Sequence, residues 1–273
     1  MTCAPLAGGL TNRNYLVRDG DEQFVARLCE DRQFLGIDRR NERLCQIAAC
    51  KAGVAPEVTH FEQDMLVSRF LNARTLTDDD LQDADLLLRL AQIIRQIHSA
   101  SDQLTGELLY FCPFQTVRTY TQTARDHGAV LPPDIDQLVE DSRQLSHRMS
   151  PFRPTLCHND LLAANIMDDG ERLWLVDWEY AGIGNPLFDL AGVSANAGLS
   201  DQLEVHLLEA CIGSVSDALL YEVRILKTAS LLREALWAVI QTVMSDFDFD
   251  YAEYATGNFA KYRQARLDLD KAG

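Results

Sequence analysis

The stretch LCHNDLLAANIM, residues 156–167, constrains the fold of this chain more than any other part of it. His158, Asn159 and Asp160 stand side by side, Asn165 follows after four intervening residues, and every other position is apolar. Polar groups taken out of water cost free energy unless they are paired or have a task. Shortly afterwards the apolar run LWLV, Leu173 to Val176, ends at Asp177. An aspartate at the end of a buried strand, close to a loop with another aspartate and an asparagine, makes an oxygen-rich site. Such a site suits Mg2+, which prefers hard carboxylate and carbonyl ligands. Two carboxylates and an amide can divide the work: one accepts the proton of a hydroxyl, and the others hold a metal on a phosphate. The competing reading is a pair of turns with ordinary Asx hydrogen bonding.

The rest of the chain supplies a frame for that island. Residues 14–29, NYLVRDGDEQFVARLC, read as a hairpin around an Asp-Gly turn, and EVTHFEQDMLVSRFL as a second hairpin. Between them, DRRNERLCQIAACKAG has apolar residues at helical spacing and stops at Gly53. The first seventy residues are therefore expected to form a small sheet with one helix. DADLLLRLAQIIRQIHSAS then begins a region that reads as helical, through 113–150 and 186–267, apart from the strand-rich island. The change of character at 71–77 divides the chain into an N-terminal lobe, 1–71, and a C-terminal lobe, 72–273.

Composition narrows the partners. With 25 basic and 41 acidic side chains the net charge is −16, which argues against nucleic acid or an anionic membrane and favours cationic partners. No apolar run reaches the roughly 20 residues of a membrane span, and the N-terminus lacks the pattern of a signal peptide, so a cytoplasmic protein is expected. Seven cysteines, odd in number and without C-x-x-C spacing, read as reduced thiols rather than a disulfide framework or a zinc site.

The order of Asp160, four residues, Asn165 and the later strand-end Asp177 matches the phosphoryl-transfer arrangement of kinases. Asn159 stands in place of the usual arginine, and Asp-Trp-Glu in place of Asp-Phe-Gly. In this form, HND followed by N and then VDWEYAG resembles the choline/ethanolamine kinase family, bacterial-type, of the aminoglycoside phosphotransferase and protein-kinase-like superfamily. The resemblance covers most of the chain, most strongly residues 156–192. It implies an α+β, protein-kinase-like bilobal fold: a small β-sheet lobe with one helix, over a larger, mainly helical lobe.

The resemblance also implies roles. Asp160 would be the base, Asn165 and Asp177 the Mg2+ ligands, and His158 a support for the loop. GGLTNRN would be the nucleotide loop, with Gly8, Gly9, Thr11, Asn12 and Asn14 toward ATP. Arg27 stands where protein kinases carry a lysine and would reach the α- and β-phosphates, ion-paired to Glu42 on the following helix. The strand Met65–Leu71 would be the hinge, with backbone groups of Ser68 to Phe70 on the adenine edge. Asp189, after a Gly-Asn-Pro turn, reads as a brace for the catalytic loop, and His98 as a helix cap or core histidine.

The acceptor must reach Asp160 from the helical lobe. On a helix Glu234, Trp237 and Gln241 share one face. LWAVIQ followed by DYAEYATGNFAKY resembles the end of choline kinases, with Trp237 and Tyr254 as cage aromatics for a cation. Glu234 stands where the eukaryotic enzymes commonly have a tryptophan, which favours an ammonium with N–H hydrogens, such as ethanolamine or another amino alcohol. At least one of Trp178, Glu179 and Tyr180 is expected to face the acceptor. The expected activity is ATP- and Mg2+-dependent phosphorylation of a small cationic amino alcohol. Alternatives are an aminoglycoside, thiamine or sugar-alcohol kinase, and a catalytically silent relative that binds nucleotide or ligand.

Overall fold

The computed structural model describes residues 1–6, 12–62 and 64–272. Gly8, Gly9 and Thr11 lie outside the described residues. The chain opens with β1 (Thr2–Leu6), β2 (Arg13–Asp19) and β3 (Glu22–Leu28), followed by α1 (Arg39–Lys51), β4 (Val58–Glu62) and β5 (Met65–Arg69). These five strands form one antiparallel sheet in the order β1-β2-β3-β5-β4. Gly20, at φ +60°, makes the β2–β3 turn, a conformation that glycine adopts without steric cost. The two hairpins and the helix are those that the alternation and spacing predict. β1 is an addition: it contains Pro5 and lies at the sheet edge, where a missing N–H is tolerated.

The larger part begins with β6 (Arg74–Thr75) and α2 (Ala84–Ser99). The Asp83 side chain caps α2 by accepting from the amides of Asp85 and Leu86, while Leu86, Leu87, Leu90, Ile94 and Ile97 are buried along one face. Then come α3 (Pro113–Asp126), α4 (Ile135–Ser146), β7 (Thr155–Cys157), β8 (Ile166–Asp168), β9 (Leu173–Leu175) and β10 (Gly182–Gly184). Helices α5 (Pro186–Asn196), α6 (Asp201–Ile212), α7 (Asp217–Met244) and α8 (Tyr251–Ala272) complete it. The 28-residue α7 is buried almost continuously from Val223 to Gln241, with α3, α5 and α8 against it. Among the described residues no helix is long and apolar enough to cross a membrane.

Short strands carry the polar island. β6, β8 and β9 form one antiparallel sheet, and β7 pairs with β10. Gly182 lies so close to the Leu109 carbonyl that a Cβ there would meet its oxygen at 2.6 Å, so only glycine lets β10 pack on that segment. Ile183 N–H then donates to Leu109 O (2.9 Å), and Phe111 N–H to Ile183 O (2.8 Å).

Two kinds of contact join the small sheet to the helical part. Cys45, Ala48 and Ala49 of α1 share one apolar core with Leu87, Leu90 and Ile94 of α2. Polar contacts centre on Arg39, only 1 % exposed at the start of α1. Its Nη1 donates to Glu42 Oε2 (2.7 Å) and Glu179 Oε2 (3.0 Å), its Nη2 to Asn12 Oδ1 (2.9 Å), and its Nε to Glu30 O (2.8 Å). Asn12 Nδ2 also donates to Glu179 Oε2 (3.0 Å), and Asn41 Nδ2 to Ala181 O (2.7 Å). Removing one partner of a buried charge cluster strands the others without compensation. Arg39→Met is accordingly expected to lower unfolding free energy by about 3 kcal/mol in urea titration, well beyond a surface arginine change such as Arg118→Met.

Candidate active site

The catalytic-type loop is set by its backbone. Asn159 and Asp177 are the only non-glycine residues at positive φ among the described residues, at 63° and 64°. That region is costly for a side-chain-bearing residue and persists only where surrounding contacts hold it. Asp189, fully buried at 0 % exposure in the first turn of α5, provides the hold. Its Oδ2 accepts from His158 N–H (3.1 Å) and its Oδ1 from Asn159 N–H (2.7 Å), while His98 Nε2 lies 2.9 Å from Oδ2. Asp189 is thus the brace that its place in the sequence suggests, and His98 is its partner rather than simply a cap. Asn159 Nδ2 adds a bond to Tyr180 O (3.0 Å). His158 Nε2 donates to Val176 O (3.0 Å), tying the loop to the segment that leads to Asp177. Burial holds the His158 pKa below its ordinary value, so the ring stays neutral and serves as a structural donor.

The loop brings Asp160 and Asn165 together. Asn165 Nδ2 donates to Asp160 O (2.9 Å) and approaches Asp160 Oδ2 (3.4 Å). Its Oδ1 accepts no hydrogen bond from the described residues. Asp177 Oδ1 accepts from Arg27 Nη1 at 2.6 Å, and Arg27 is ion-paired to Glu42, as its place in the sequence predicts. Burial disfavours charge on Arg27, yet Asp177 and Glu179 raise its pKa above the ordinary value. Asn165 and Asp177 thus offer an amide oxygen and a carboxylate, a donor set that fits a hard divalent cation. His98, Cys157 and Asp189 place ligand atoms within 4.8 Å of one another. That trio does not fit a soft metal: the carboxylate is already taken by N–H donors, and burial pushes the Cys157 thiol well above its usual range.

On the other side of Asp160 stands α7. Arg233 Nη2 donates to Asp160 Oδ1 (2.6 Å) and to Glu234 Oε2 (3.1 Å). Burial pushes the Asp160 pKa up, the Arg233 charge opposes this, and Glu234 adds to it. Glu234 Oε1 accepts from the Tyr254 hydroxyl (3.0 Å), and the Trp237 ring meets Tyr254 edge-on with centroids 6.4 Å apart. Glu234, Trp237 and Tyr254 therefore form one wall. Gln241, a turn further on, is also buried, and its amide atoms have no hydrogen-bond partner among the described residues.

Several expected placements need correction. Of the three residues after Asp177, only Tyr180 turns toward this wall, with the Arg233 guanidinium 5.1 Å from its ring centroid. Trp178 is in the core, its Nε1 donating to Leu175 O (3.1 Å), and its ring packs on His158. Glu179 points the opposite way, to Arg39 and Asn12. The left-handed turn at Asp177 breaks strand alternation, so each following side chain departs from the direction a strand would give it. The hinge assignment narrows. Ser68 lies in an interior strand paired on both sides, and the Phe70 N–H donates to Gln23 O (3.0 Å), so that N–H is not available to an adenine edge. Arg39 and Arg233 were not among the predicted site residues. The signal for Arg233 was a charged pair, Arg233-Glu234, inside the otherwise uncharged stretch from Thr228 to Met244.

Comparison with known proteins agrees with this architecture. A model of the phosphotransferase enzyme family matches residues 2–212. The protein LicA of Haemophilus influenzae is 26 % identical over 257 residues, covering 91 % of this chain and 75 % of the relative. A probable ethanolamine kinase A of Dictyostelium discoideum is 26 % identical, covering 97 % of this chain and 86 % of the relative. A crystal structure of a choline/ethanolamine kinase family protein from Mesorhizobium loti superposes with a TM-score of 0.80 at 28 % identity, over 97 % of this chain and 88 % of that one. The small sheet over a helical lobe is therefore the kinase-like fold of these relatives, and this chain belongs to the phosphotransferase enzyme family.

Proposed function

We propose that this protein transfers the γ-phosphate of ATP to the hydroxyl of a small cationic amino alcohol, choline, ethanolamine or a close relative, with Mg2+. The observation that carries the reading is the position of Asp160, between the side-chain amide of Asn165 and the acidic, aromatic wall of Glu234, Trp237 and Tyr254. Similarity to a probable ethanolamine kinase over nearly the whole chain supports it.

Asp160 orients the acceptor hydroxyl and takes its proton as the oxygen attacks. The new bond is from acceptor oxygen to γ-phosphorus; the bond broken is from γ-phosphorus to the bridging oxygen, which leaves with ADP. Asn165 and Asp177 would hold Mg2+, which would supply countercharge to the phosphates. Arg27, kept in line by Glu42, would reach the nucleotide phosphates. Little covalent chemistry falls to the protein in such a transfer; placement and charge neutralisation provide most of the rate. The acceptor cation meets the Glu234 carboxylate and the faces of Trp237 and Tyr254, where attraction to a ring can reach about 2 kcal/mol in a desolvated site.

Initial rates with choline, ethanolamine, thiamine and kanamycin test the acceptor class. An amino alcohol is expected to give the highest kcat/KM, and kanamycin as the best acceptor overturns the assignment. Asp160→Ala is expected to reduce kcat by about a thousand-fold, within the range for loss of a positioned base, while leaving ATP affinity within about three-fold. Near-normal turnover in that variant removes Asp160 from its role.

A further inference from the structure

Arg233 is 4 % exposed in the buried part of α7, and among the described residues its side-chain hydrogen bonds go to Asn159, Asp160 and Glu234. A single nitrogen, Nη2, bridges Asp160 Oδ1 at 2.6 Å and Glu234 Oε2 at 3.1 Å, while Nη1 donates to Asn159 O at 3.1 Å. The rings of Tyr180 and Phe111 lie 5.1 Å and 5.9 Å from the guanidinium carbon. Fixed on these sides, the planar group has little rotational freedom. Two carboxylate oxygens on one nitrogen can be no more than about 6 Å apart. Without the guanidinium they would repel and part. The trio of two carboxylates and one guanidinium keeps one net negative charge, which complements one ammonium and not a polycation.

We propose that Arg233 is a positioning residue that sets the spacing between Asp160 and Glu234 and so selects acceptors whose hydroxyl and amino groups stand on neighbouring carbons. The inference rests on the amino-alcohol kinase reading above. Asp160 meets the hydroxyl and Glu234 the nitrogen. In a two-carbon amino alcohol these atoms are about 3–4 Å apart by bond geometry, a span that fits between two carboxylates held this close. A longer acceptor must fold back on itself to reach both, which costs chain entropy. Glu234 is held in turn by the Tyr254 hydroxyl on its other oxygen, so the far end of the span does not drift.

The test compares ethanolamine with 4-aminobutan-1-ol in the full chain, with KM for ATP measured alongside. The unaltered protein is expected to prefer ethanolamine in kcat/KM. In Arg233→Met, kcat/KM for ethanolamine is expected to fall about a hundred-fold, the scale of a misplacement near 1 Å. The preference between the two acceptors should fall close to one, with KM for ATP within about two-fold. Arg233→Lys, which can still meet one carboxylate, should recover part of the rate but little of the preference. It also carries the test if the methionine variant does not fold. Glu234→Gln should raise the acceptor KM more than it lowers kcat. A purely structural arginine would slow both acceptors equally, so an unchanged ratio in the Met and Lys variants overturns the spacing role alone. Failure of the unaltered protein to phosphorylate ethanolamine, choline or 4-aminobutan-1-ol overturns the amino-alcohol reading itself.

Discussion

Two backbone N–H groups that end on one buried carboxylate hold the rest of this site in place. Asp189 has no exposed surface, and an ion so placed costs several kcal/mol unless its oxygens are satisfied. It is satisfied by His158 and Asn159 amides, with His98 alongside, and by the start of α5, where a helix favours negative charge. The same bonds keep Asn159 at positive φ. Asp160 is the next residue, so its carboxylate is aimed before any substrate arrives. Such preorganisation is the property that lets a polar site stabilise charge without rearranging during the reaction.

A second set of charges ties the small sheet to the segment after Asp177. Arg27 and Arg39 alternate with Glu42, Asp177 and Glu179, so that each carboxylate in the set has a guanidinium beside it. Arg39 links Asn12, next to the end of the sequence's glycine-bearing segment, with Glu179, two residues after Asp177. The small sheet is therefore tied to the very turn that bears a candidate metal ligand. Apolar packing of α1 against α2 supplies adhesion between the two parts, and the ion pairs supply register. That division matches the general behaviour of buried ion pairs, whose net stabilisation is small compared with the cost of breaking them.

Local spacing made part of this visible in the sequence. Asp160 and Asn165 lie in one loop, and Asp177 ends the next short strand, so their meeting needs only a hairpin-like return. Arg27 and Glu42 were legible through their order on a strand and the helix that follows. The directions of Trp178 and Glu179 were not, because one left-handed residue at Asp177 breaks the alternation on which such a reading depends. The occupied Phe70 N–H was hidden for a different reason: whether a strand's amides are free depends on its neighbours in the sheet, and the order β3-β5-β4 is a tertiary fact. Arg233 was hidden by its neighbour, since Glu234 accounts for an acidic wall by itself and an adjacent arginine on a helix is most often a solvated charge.

In the proposed reading, chemistry and acceptor choice consequently reside on different elements. The residues that fix the loop, His98, His158, Asn159 and Asp189, belong to α2, the loop itself and α5. Glu234, Trp237 and Tyr254 belong to α7 and α8. Among the described residues, the side-chain bridge from the acceptor wall to the Asp160 carboxylate is Arg233. Substitutions along α7 and α8 can therefore reshape the acceptor wall without disturbing the braced loop, provided that Arg233 keeps its bonds to Asn159 and Asp160. A fold arranged in this way can serve many acceptors with one transfer apparatus, because function is carried by the site and not by the scaffold.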